Sequence, residues 1–136
     1  MTPALDTLSR TLWGEARDQG LDGMAAVASV VLNRAHIGGW WGKDIFTVCR
    51  MPHQFSCWSP DDPNRVKLEK VTLADPQFQD AVMIARDAIA GELRDRTYGA
   101  TLYYSPKSMN PPGSVPSWAS EEKKTVQIGD QIFYKS

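Results

Sequence analysis

The sequence predicts an α+β domain in which helices dominate and a small antiparallel sheet closes the chain. Three observations predict it. Apolar residues recur at helical spacing in three segments before residue 91. The tail from residue 101 carries short runs rich in Thr, Tyr, Val, Ile and Phe instead. A Gly-Asp pair divides two of those runs, as in a tight hairpin. With 136 residues the chain fits one domain, 1–136, around one core.

The first helix is predicted over 5–17, where Leu5, Leu8, Leu12 and Ala16 share a face. Asp6 or Thr7 is its candidate cap. A second begins after "DQGLDG", with Asp22 as N-cap and an apolar stripe of Met24, Val27, Val30, Val31 and Ala35. Ala25, Ala26, Ala28 and Ser29 are small enough for a neighbour to pack closely, and Gly38-Gly39 ends the helix. Residues 38–67 read as a long irregular stretch, the kind that usually carries function. Order returns in "TLADPQFQDAVMIARDAIAGEL", where Asp75 caps, Pro76 opens and Gly91 closes a helix. Its inner face is Phe78, Val82, Ala85 and Ile89. "TLYYS" at 101–105 is a short strand, and "TVQIGDQIFYK" a hairpin whose Gly129-Asp130 turn suits type II′.

Composition excludes several classes. The hydrophobic fraction of 42% is that of a globular protein. Fifteen basic and 16 acidic residues give a net charge of −1, with no basic half to attract nucleic acid. "MTPALDTLSR" lacks the apolar run of a secretory signal, and nothing nears the ~18 apolar residues of a membrane span. The expectation is a soluble chain, cytoplasmic as encoded, without membrane insertion. Five tryptophans include the adjacent Trp40 and Trp41, with Trp58 and Trp118 in polar, Pro-rich surroundings. They line a groove or pack loops.

Within "TLWGEARDQG", Gly14 stands beside Glu15 inside a helix, where glycine costs roughly 0.5–1 kcal/mol against alanine. Such a residue implies a close approach of a sugar or of another backbone. Glycosidic cleavage needs a protonated carboxyl at the leaving oxygen, and partial burial favours that form. Glu15, near the helix end and the edge of the apolar stripe, meets the requirement; an ion pair with Arg17 on a wet face is the plainer reading. In "PHQFSCW", Gln54 and Ser56 offer hydrogen bonds while Phe55 and Trp58 offer flat apolar faces, which suits a sugar. Phe55 also reads as a core anchor. Tyr103 and Tyr104 adjoin on one strand, so one faces inward and the other outward.

Other chemistries are weaker. Cys49, His53 and Cys57 are spaced by four, yet Pro52 opposes a helix and no fourth zinc ligand follows, so no metal is expected. A Cys–His nucleophile pair lacks an evident orienting acid. Cys49 and Cys57 form a disulfide or remain as two buried thiols. No G-x-S-x-G elbow and no phosphate-cradling glycine loop occur.

Four segments carry a resemblance. "LWGEARDQGLDGMAAVASVVLNRA", "HQFSCW", "GATLYYSPKSMNPP" and "IGDQIFYK" occur in order from about residue 8 to 135. Together they resemble the cell-wall hydrolase family typified by the catalytic domain of bacterial spore cortex-lytic enzymes. That resemblance implies a lysozyme-like fold, mainly helical with a small antiparallel sheet that includes the C-terminal hairpin. It implies lytic transglycosylation of peptidoglycan between N-acetylmuramic acid and N-acetylglucosamine. The family's catalytic glutamate falls on Glu15. Gln54, Ser56, Trp58, Tyr103 and Tyr104 are the expected substrate-binding residues. Two positions depart from the family pattern. Asp18 or Gln19 stands in place of a second glutamate, and Leu102 in place of a histidine.

The resemblance implies that one carboxyl serves twice. Glu15 protonates the glycosidic oxygen, then takes the proton of the muramic C6 hydroxyl as a 1,6-anhydro ring closes. A muramidase would add a second carboxylate ~5 Å away if retaining or ~6.5–9.5 Å if inverting; Asp18, Asp22 and Asp44 are the candidates. A glycan-binding or virion structural module without catalysis is the third reading. No cofactor is expected. The partner is the glycan strand, met by a monomer, with the wall reached after release or delivery, as for a phage-encoded endolysin.

Overall fold

A computed structural model describes residues 1–136. Helix α1 spans Pro3–Ala16, two residues earlier than the spacing predicts. Thr2 is its cap in place of Asp6 or Thr7, accepting from the Leu5 amide at 3.2 Å, and Pro3 takes the first helical position. Asp6 instead pairs with Arg10 one turn on, at 3.1 Å. A 3₁₀ turn at Arg17–Gln19 leads into α2, Gly20–Ile37. Asp22 therefore lies inside the first turn of α2 and meets Arg96 at 2.8 Å; it is not the cap.

The stretch 38–67 is not irregular throughout. It holds α3, Ile45–Arg50, and the start of α4, Pro63–Lys70. Asp44 and Thr47 form a capping box on α3, and Asp62 with Pro63 opens α4. Both helices are short and bury few side chains, so they leave no long apolar stripe to read. Helix α5 runs Pro76–Ile89, with the Asp75 carboxylate accepting from the Phe78 amide at 3.0 Å. Ile89 is 43% exposed and leaves the inner face to Ala88.

Strands β1 (Leu102–Tyr104), β2 (Lys124–Ile128) and β3 (Gln131–Tyr134) form an antiparallel sheet in the order β1-β3-β2. Gly129 sits at φ 58° and Asp130 is not in the positive region, as a type II′ turn requires. The turn is clamped from the 3₁₀ turn between α1 and α2: the Gln19 amide donates to Asp130 Oδ2 at 3.1 Å and accepts from the Asp130 amide at 2.9 Å.

Helix α2 runs through the middle and is buried nearly all round from Gly23 to Val31. One side meets Leu8 and Leu12 of α1 and Phe78 and Ala85 of α5. The other side presents Ala26 and Val30 to Ala100 and Phe133 beside the sheet. Each fully buried Leu or Phe contributes about 1.5–3 kcal/mol. This arrangement fixes the end of α1 against β1, which is where the site forms. Both cysteines are free thiols, and both are buried. No helix is long and apolar enough to cross a membrane.

Candidate active site

Glu15 is the penultimate residue of α1 and is half-buried. The Tyr103 phenol on β1 donates to its Oε1 at 2.6 Å, and the backbone amide of Cys57 donates to its Oε2 at 3.3 Å. Three elements distant in sequence thus converge on one carboxylate. It stands at the junction of two cavities of about 420 Å³ each, which share Glu15, Ser56 and Tyr103. One extends past Asp18, Asn64, Ser105 and Gln131, the other past Arg34, His53 and Gln54. The result is a polar cleft with the carboxylate midway along it.

Gly14 has its explanation in packing. A Cβ there would lie 2.9 Å from Cys57 Cβ and 3.1 Å from Leu68 Cδ2, so the glycine admits the 3₁₀ turn Ser56–Trp58 against α1. The close approach is that of the Cys57 side chain, and Gly14 also lines the cleft. That approach brings the Cys57 amide to Glu15.

Burial first, and then the neighbouring Glu15 charge, push the Tyr103 phenol well above its ordinary pKa. Tyr103 thus keeps its proton across the neutral range. A hydroxyl donates or accepts, so Tyr103 can hold Glu15 in either protonation state.

Of the expected binding residues, Gln54, Ser56 and Tyr103 lie with Glu15 on the cleft. Tyr104 points to the other face of the sheet, where it packs on Trp118 and Tyr134. Trp58 is outside the two cavities. Its indole N–H donates to Thr11 Oγ1 at 2.9 Å, and its ring faces a neighbouring recess with Arg50 stacked 4.1 Å above it. Trp41 is buried beneath Arg34 while Trp40 stacks outside it.

The sequence points to neither Arg34 nor Gln131 as a cleft residue, and to His53 only as a metal ligand or a thiol's partner. Arg34 is 4% exposed, held by its Nε to the Thr101 carbonyl at 2.8 Å between the rings of Trp41 and Phe55, with Nη1 unpartnered. Gln131 is 5% exposed with an unpartnered Oε1. Both line the cleft, on opposite sides of Glu15. A charged residue inside an otherwise buried helix was the available signal for Arg34; Gln131 gave none. His53 holds φ 66°, a conformation that non-glycine residues adopt rarely.

The thiols are not poised as nucleophiles. Burial pushes Cys49 up to about 12, and burial with the Glu15 charge raises Cys57. Neither hydrogen-bonds a histidine. No group of three or more His, Cys, Asp or Glu side chains is placed to hold a metal ion.

The mainly helical body with its three-stranded antiparallel sheet is a lysozyme-like fold, and in this chain it carries a carboxylate in a polar cleft. The chain belongs to the cell wall hydrolase family, whose model matches residues 18–134. Glu15 precedes the matched residues, whereas the structural likenesses span it. The fold is similar to the catalytic domain of the germination-specific lytic transglycosylase SleB from Bacillus anthracis. That likeness has 24% identity and a TM-score of 0.72, and covers 99% of this chain and 96% of that one. It is likewise similar to the catalytic domain of the Bacillus cereus SleB protein, at 23% identity and a TM-score of 0.74, covering 99% of this chain and 91% of that one. No curated protein matches the chain significantly.

Proposed function

We propose that the protein is a peptidoglycan-cleaving lytic transglycosylase, acting on the β-1,4 bond between N-acetylmuramic acid and N-acetylglucosamine. The reading rests chiefly on Glu15, half-buried at the centre of a two-sided cleft with one donor on each oxygen. The strand lies along the cleft with the scissile oxygen at Glu15. That carboxyl gives its proton to the leaving oxygen and recovers one from the muramic C6 hydroxyl, whose oxygen closes the anhydro ring. The nucleophile is part of the substrate, so no second carboxylate need activate water. Tyr103 positions the carboxyl through both steps, and Gln54 and Ser56 bind sugar hydroxyls or acetamido groups. The whole of 1–136 acts as one catalytic domain and as a monomer. Its place of action is the wall, reached by release or delivery from the cell that makes it.

The test is clearing of purified sacculi by the wild type and by Glu15→Gln. Clearing by the wild type and none by a folded variant is expected; a fully active variant overturns the assignment. One observation favours a second reading. Asp18 lines the same cavity as Glu15, so a muramidase using both carboxylates has its candidate partner there. Water-derived reducing muramic ends, lost in Asp18→Asn, would select it.

A further inference from the structure

We propose that the recess beside the cleft is a subsite for the carboxylate-bearing peptide stem that muramic acid carries on its lactyl ether. The proposal rests on the glycan-strand reading above and names the part of that substrate which the recess takes.

The recess measures about 280 Å³, near the ~300 Å³ lower bound of small-ligand pockets, so it suits a short branch and not a strand. Trp58 supplies apolar surface over the buried Phe55, and Pro52 and Pro60 contribute stiff backbone. Arg50, Arg65, His53 and Ser59 supply the polar groups, and no carboxylate lines it. It is continuous with the Arg34 side of the cleft, since His53 and Ser59 line both. A branch leaving a sugar beside Glu15 thus has a route inward past His53.

The two arginines differ in what they already do. Arg65 is fastened by Nη1 to the Trp58 carbonyl at 2.5 Å and faces Glu69 at 3.4 Å, so it serves the fold. Arg50 is exposed, its guanidinium carbon sits over the Trp58 ring 4.1 Å from the centroid, and its side chain makes no hydrogen bond and no ion pair. That contact leaves its N–H fork free, and the fork matches a carboxylate. Peptide stems alternate small apolar residues with free carboxylates. A methyl group would rest beside Trp58 while the next carboxylate met Arg50.

Two arms test this. In the first, N-acetylmuramoyl-L-alanyl-D-glutamate and the methylamide of N-acetylmuramic acid, which has no carboxylate, are titrated into ¹⁵N-labelled protein. The peptide form should bind about tenfold more tightly and shift the Trp58 indole resonance. Arg50→Glu should erase that difference without weakening the methylamide, and Arg50→Lys should restore part of it. Equal affinities, an unmoved Trp58 signal, or an equal shift from ribitol phosphate would overturn the stem assignment. In the second, the wild type should cleave stem-bearing sacculi about tenfold faster than amidase-stripped glycan strands. Arg50→Glu should cleave both at the stripped rate. Equal wild-type rates, or a variant slowed equally on both, would overturn the proposal while leaving the cleavage reading intact. Peptide binding at Trp58 with neither substrate cleaved would support the subsite and defeat the cleavage reading instead.

Discussion

The Tyr103 phenol donates to Glu15 Oε1 at 2.6 Å across 88 residues of sequence, joining the middle of β1 to the end of α1. A buried hydrogen bond to a carboxylate contributes about 1.5–3 kcal/mol, or roughly ten- to a hundredfold. Tyr103→Phe removes it while keeping the ring against Phe133. The expected outcome is a ten- to hundredfold lower kcat on sacculi from a variant that stays folded, its melting temperature lowered only by the loss of one hydrogen bond. Unchanged kcat would deny Tyr103 its positioning role.

Gly14→Ala would set a methyl group 2.9 Å from Cys57 Cβ, at a contact neither backbone can easily yield. Overpacking of this kind costs about 1–3 kcal/mol. The same displacement moves the Cys57 amide from Glu15, so activity should fall together with stability. Denaturant melts and sacculus clearing on one preparation check both. Loss of stability with full activity would show that the amide contributes nothing.

The thiols offer a third check. With Cys49 raised to about 12 and Cys57 raised as well, almost no thiolate is present at neutral pH. Native protein should resist a thiol reagent such as iodoacetamide and keep its activity, and both cysteines should label only on unfolding. Rapid native labelling with inactivation would revive a cysteine mechanism.

Asp95 anchors the loop that feeds β1. Its carboxylate accepts from Asn33 Nδ2 at 3.1 Å, from Thr97 N at 2.7 Å and Oγ1 at 2.6 Å, and from Gly99 N at 3.0 Å. Burial alone would raise its pKa, but these donors outweigh burial and hold it below the ordinary carboxylate range. The folded pKa therefore lies under the unfolded value of about 3.9. Its contribution is full above that value and is lost as pH falls through the folded pKa. Asp95→Ala should cost about 2 kcal/mol at neutral pH. The deficit should shrink progressively in denaturant melts taken below pH ~4. A deficit independent of pH would contradict this account.

The long elements were legible in the sequence because period and punctuation agreed. α1, α2 and α5 carry apolar faces of three turns or more, and Asp75-Pro76 marks the start of α5. The Gly129-Asp130 turn was readable because few residue pairs suit it. α3 and α4 were missed although Asp44 and Asp62-Pro63 are ordinary start signals. With six and eight residues, neither extends far enough to establish a period. At the site, Glu15, Gln54, Ser56 and Tyr103 stood in motif segments. Trp58 and Tyr104 stood there too, yet indole bonding to Thr11 and strand alternation turn them from the cleft. Arg34 was hidden because a charge within a helix ordinarily marks its wet face, and only the packing of Trp41 and Phe55 around it says otherwise.

Mass spectrometry of the muropeptides released from purified sacculi, in water enriched in ¹⁸O, tests the central claim most directly. The single-carboxylate account predicts 1,6-anhydromuramic ends without solvent oxygen, formed by the wild type and absent with Glu15→Gln. Reducing muramic ends carrying ¹⁸O, or anhydro ends still formed by the Glu15 variant, would contradict it.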